Sequence, residues 1–169
     1  MHTLLLLAAI GLQQPDPLLV IVNKPASTVS IVNVARGTMV ATLPTGANPH
    51  EAAASGDGRW AVVSDYGAQT SGNTLTVIDI AKQEVARTID VGFTRPHGIT
   101  FLPDNRTVAV TSETGGMVVL VDVAAGTVMS WGADQVGVTG RNRVRSAVPT
   151  VIPTLTGVQA VYAKFRRSF

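Results

Sequence analysis

The 169-residue chain contains no cysteine, little charge and few aromatic rings. Without cysteine no disulfide can staple the fold, cysteine-based metal spacings and thiol nucleophiles are excluded, and thiols give no clue to the redox compartment. Asp, Glu, Lys and Arg together make up 14% of the residues, against about 25% in typical soluble domains. So low a charge argues against a disordered chain. No basic stripe with interleaved aromatics is present either, which argues against a nucleic-acid partner. The chain has no nucleophile elbow, P-loop, dinucleotide fingerprint or HExxH, so catalysis has no motif to rest on. The amino-terminal apolar run, Leu4 to Leu12, is about half of the ~20 residues a membrane span needs.

What the chain does have is sixteen glycines, an apolar fraction of 46% and a repeat. Asn33, Asp79 and Asp122 each close an apolar strand, in VSIVNV, LTVIDI and VVLVDV. Gly46 and Gly92 follow at a fixed distance, then Pro49-His50 and Pro96-His97, then the turns Asp57-Gly58 and Asp104-Asn105. A period near 45 residues with short alternating strands is how a β-propeller appears in sequence, one four-stranded blade per repeat. The expected fold is therefore all-β: an incomplete propeller of four-stranded antiparallel blades followed by an irregular carboxyl-terminal tail. Blades are expected over 18–45, 46–91 and 92–130, the first lacking its opening strand. Val, Ile and Thr dominate the strands, as half-buried pleated positions favour.

The ends differ from the repeats. Residues 1–17 look like a secretory signal, with an apolar core and a small-x-small site at Ala9-Ile10-Gly11, although no Lys or Arg precedes the run. A buried strand is the alternative. The expected location is periplasmic or extracellular, with the cytoplasm as the alternative. Residues 1–130 hold seven Lys and Arg against ten Asp and Glu, whereas 131–169 hold six against one. Register, composition and charge all change together from Trp131 onward. That is expected of a shifted reading frame or a junction with foreign sequence; a genuine basic tail is the alternative, and resequencing the gene separates them.

Residues 18–130 resemble the YVTN-type β-propeller repeat proteins. The resemblance rests on VIVN at 20–23, VVSD at 62–65 and AVTS at 109–112, with TVSIVNVARGTMVATLPTG, TLTVIDIAKQEVARTIDVG and the Pro-His-Gly at 96–98. The name-giving tetrapeptide departs from Tyr-Val-Thr-Asn in all three copies. The resemblance implies a seven-bladed, exported or surface-located bacterial or archaeal propeller, seldom with a known ligand.

Function sits in the loops of such scaffolds rather than in the repeat. His50 and His97 open the innermost strands of two blades and should share a face, with Glu51 beside the first. The loops after the second strands bring Asp65, Tyr66 and Glu113 to that same face. Histidines with carboxylates suit a polar ligand or a divalent metal, for which His50 and His97 are the expected ligands. The competing account is structural, because a Pro-His that recurs once per blade can simply shape the interblade corner. Trp60, Phe93 and Phe101 are expected in interblade packing, and 67–73 as a longer polar loop.

The function expected from these features is an exported binding scaffold, part of a larger propeller, taking a protein partner or a small polar ligand. No cofactor is expected. Open blade edges favour self-association. One alternative is a lactonase-like hydrolase, which resembles a related propeller carrying His and acidic residues around its axis. The other is a truncated product without activity of its own.

Overall fold

The computed structural model describes residues 15–132. The signal-like segment and the basic tail otherwise lie outside the described residues. Eleven strands and no helix are found there: β1 (Leu18–Asn23), β2 (Thr28–Asn33), β3 (Thr38–Pro44), β4 (Pro49–Ala54), β5 (Trp60–Gly67), β6 (Ser71–Asp79), β7 (Glu84–Asp90), β8 (Pro96–Phe101), β9 (Thr107–Ser112), β10 (Met117–Asp122) and β11 (Thr127–Gly132). No helix among the described residues is long and apolar enough to cross a membrane.

The strands form three antiparallel sheets in chain order: β1-β2-β3, β4-β5-β6-β7 and β8-β9-β10-β11. Each sheet is one repeat, and among the described residues the first has no counterpart of β4 and β8, as its sequence predicts. β11 continues to Gly132, with Val118 opposite Trp131, so the last strand outlasts the repeat pattern by two residues.

Turn chemistry explains why the strands stop where they do. Asn33, Asp79 and Asp122 accept hydrogen bonds through their side chains from the backbone N–H three residues on, those of Arg36, Lys82 and Ala125. A short side-chain acceptor at that place mimics one turn of backbone and ends the strand. The residue after each of these donors is left-handed: Gly37 at φ 62°, Gln83 at 57° and Gly126 at 73°.

The core lies between sheets, and period-2 alternation distributes it. From β5, Ala61 and Val63 enter the seam with the first sheet, whereas Val62 enters the seam with the third. From β6, Ile78 faces the first sheet, and Leu75 and Val77 face the third. That is why these strands are apolar at nearly every position: the middle sheet is covered on both sides. Phe93 is buried in the second seam, with Trp60 and Phe101 packed against it.

Residues 67–73 differ from the expected polar loop. β5 and β6 extend as a hairpin that closes with Gly67 opposite Ser71. Two glycines permit it. Gly67 has φ 86°, and a Cβ on Gly72 would lie 1.9 Å from the Asp65 carbonyl oxygen.

Candidate functional site

β4 and β8 lie side by side at the inner edges of their sheets, and each begins with Pro-His. In both strands the pairing register slips directly after the proline, between Pro49 and Ala52 and between Pro96 and Ile99. A regular strand would send His50 and Glu51 to opposite faces. The slip lets consecutive residues serve one site. The ligand atoms of His50, Glu51 and His97 consequently lie within 4.8 Å of one another.

The two imidazole rings are 4.0 Å apart between centroids and tilted by 38°. His97 Nδ1 is 3.4 Å from Glu51 Oε1. The third repeat carries glycine at the Glu51 equivalent, and a Cβ on Gly98 would lie in ordinary contact with Glu51 Oε2, at 3.7 Å. The Nδ1 of His50 is buried without a hydrogen-bond partner, the single such side-chain atom among the described residues. Burial lowers the His50 pKa, and the charges of His97 and Lys24 add to the effect, so the neutral ring is favoured.

Tyr66 closes one side of the pair. Its ring is 5.2 Å from that of His50 and stands edge-on to His97 at 5.7 Å. Its hydroxyl donates to the Glu113 carboxylate and accepts from Arg95 Nη1 at 2.6 Å. Arg95 is fixed in turn by the 67–73 hairpin, donating from Nε to Ser71 Oγ and from its backbone N–H to the Gly72 carbonyl. Lys24 Nζ sits 5.4 Å from the Tyr66 ring centroid.

Five of the six residues expected at the site are therefore brought together: His50, Glu51, Tyr66, His97 and Glu113. Asp65 is not among them. Its carboxylate is buried within the second sheet and accepts from Thr74 Oγ1, Thr76 Oγ1 and the Gly46 N–H. Burial raises its pKa, although these hydrogen bonds pull the other way.

Lys24 and Arg95 are the residues that the sequence analysis missed. Lys24 follows VIVN as Tyr66 follows VVSD and Glu113 follows AVTS, so all three occupy one slot of the repeat. Arg95 precedes Pro96-His97 as Asn48 precedes Pro49-His50, and both are left-handed, at φ 56° and 51°. Repeat alignment alone would have found them.

Sheets packed face to face in chain order, with their opening strands adjacent at one edge, define a partial β-propeller. Solved structures similar to this chain are β-propeller proteins. Hydrazine synthase of Kuenenia stuttgartiensis superimposes with a TM-score of 0.59 at 22% identity, over 67% of this chain and 32% of that one. The dihydro-heme d1 dehydrogenase NirN, in complex with DHE, gives 0.56 at 23% identity, over 64% of this chain and 22% of that one. The chain thus spans about a third or less of the proteins it matches, and at this identity the likeness concerns the fold. No family model and no curated protein matches the sequence.

Proposed function

We propose that this partial propeller is an exported binding scaffold whose recognition site is the inner rim formed by His50, Glu51, Tyr66, His97 and Glu113, with Lys24 and Arg95 beside them. The observation that carries the proposal is their convergence. The second and third blades, with Lys24 from the first, deliver cationic, anionic and aromatic side chains to one rim, beside a buried imidazole nitrogen left without a partner. A corner that only needed shaping would satisfy that nitrogen with backbone, because a buried unpaired polar atom costs about 1–3 kcal/mol. The ligand class that fits is small and polar. Export rests on the apolar run Leu4 to Leu12 and on the YVTN-type resemblance, and the exposed apolar outer face of the first sheet supports membership of a larger assembly.

The test uses the full chain and imidazole NMR signals. Titration with citrate, inorganic phosphate and Zn²⁺ in turn is expected to move the His50 and His97 signals with at least one probe, and saturably. Signals that stay fixed with all three would overturn the rim as a binding site.

A further inference from the structure

Within that rim, and resting on its being a binding site, we infer that His50, Glu51 and His97 form a three-ligand site for a divalent metal of the zinc class, with the remaining position open toward Tyr66.

The donor set argues for the metal. Two imidazoles and one carboxylate suit Zn²⁺ and its first-row neighbours, whereas Ca²⁺ and Mg²⁺ take oxygen ligands almost exclusively. Three protein ligands and one open position is the arrangement of zinc sites that bind or activate an exogenous molecule, as opposed to closed structural sites. The distances also fit. Ligand atoms within 4.8 Å of one another need only a small contraction to reach the ~3.3 Å separation implied by Zn–N bonds of about 2.0–2.1 Å in a tetrahedron. Rotamer shifts of half-exposed side chains can supply it, since His97 and Glu51 have side-chain exposures of 35% and 43%.

Three features of the backbone favour this trio over a chance cluster. The register slip in β4 turns consecutive residues toward one point. The matching slip in β8 sets His97 beside them. Gly98, at the equivalent place in β8, puts no side chain of its own beside Glu51, although a Cβ there would fit at 3.7 Å from Oε2. Two adjacent, mutually tilted imidazoles, one with its buried Nδ1 unpartnered, gain from a shared cation what the described residues do not provide.

Tyr66 and its partners shape the open side. The hydroxyl is held by Arg95 and Glu113, and Lys24 lies over the ring. The vacant position would then face Lys24 and Arg95 against the single carboxylate of Glu113, an excess of positive charge that suits an anionic exogenous ligand such as a carboxylate.

The experiment titrates Zn²⁺ calorimetrically into the full chain after treatment with EDTA, and repeats it with Co²⁺ for its visible spectrum. One equivalent is expected to bind, with a cobalt band of low-coordinate intensity, and to raise the melting temperature. Loss of an outer-shell partner alone costs about 10- to 100-fold in metal affinity, so His97→Ala and Glu51→Gln are each expected to cost at least that. The metal-free melting temperature should hold in Glu51→Gln, whose side chain is the same size. His2→Ala should bind as the parent does. Absence of saturable binding, affinity equal to the parent's in His97→Ala and Glu51→Gln, or loss of binding in His2→Ala would each overturn the site. If citrate or phosphate moves the histidine signals of a chain that takes up no metal, the rim stands and the metal site falls.

Discussion

Asp65 and Glu51 are both carboxylates at the inner ends of strands, yet only Glu51 belongs to the site. The difference comes from alternation. Tyr66 turns to the rim, so Asp65 turns into the sheet, where Thr74, Thr76 and Gly46 saturate it. That signal was present in the sequence, since adjacent strand residues face opposite ways. The reverse case was not legible: His50 and Glu51 share a face only because of a register slip that no residue type announces.

Two predictions belong at this scale. The folded-state pKa of Asp65 lies above its ordinary value of 3.8 because of burial. Its contribution to stability is therefore full below that ordinary value and is lost as pH rises through the raised one. Asp65→Asn cannot ionise, so its stability relative to the parent should improve from about pH 4 toward neutrality, by at most about 1.4 kcal/mol per pH unit. Urea melts at successive pH values measure this; a constant difference would contradict it. The second concerns Gly46, where a Cβ would meet the Asp65 carboxyl group at 2.5–2.7 Å. Gly46→Ala should destabilise by about 1–3 kcal/mol, the usual cost of overpacking, read from the same melts.

At the scale of elements, strands were the most legible part of the chain. Valine-rich runs closed by Asn33, Asp79 or Asp122 and followed by a fixed turn appear at the same places in sequence and structure. The 67–73 segment was not legible, because its hairpin depends on the close backbone approach that Gly67 and Gly72 allow. The turns themselves carry a prediction. Glycine fills the left-handed slot in two repeats, as Gly37 and Gly126, whereas Gln83 fills it in the second at φ 57°. A left-handed residue other than glycine costs roughly 1–2 kcal/mol. Gln83→Gly should therefore stabilise the chain by up to about 1 kcal/mol once the added freedom of the unfolded glycine is deducted. An unchanged or lower melting temperature would show that the side chain makes a compensating contact.

At the scale of the molecule, the two seams are unequal. The one between the second and third sheets buries twelve residues and the one between the first and second buries six, so the first sheet should open before the others. Native-state hydrogen exchange should find β2 amides less protected than those of β6 or β10. The outer face of the first sheet is also uncovered. Leu19, Val32 and Met39 lie in register across it, and Leu19 is 50% and Met39 63% exposed. A contiguous apolar face of that kind promotes association. Sedimentation should show mass rising with concentration, and a Leu19→Lys, Met39→Lys double variant should stay monomeric to higher concentration. Equal behaviour of the two proteins would place the contact elsewhere.

Lys24, Tyr66 and Glu113 sit just beyond the anchoring side chains of Asn23, Asp65 and Ser112, clear of both seams. Exchange at those three places leaves the buried residues of both seams unchanged, although replacing Tyr66 would remove its bonds to Glu113 and Arg95. Gene duplication in such an array would add a fresh, freely mutable tooth with every copy. A library randomised at the three codons should therefore yield mostly well-behaved proteins with diverging selectivities, which makes this edge a natural starting point for directed evolution.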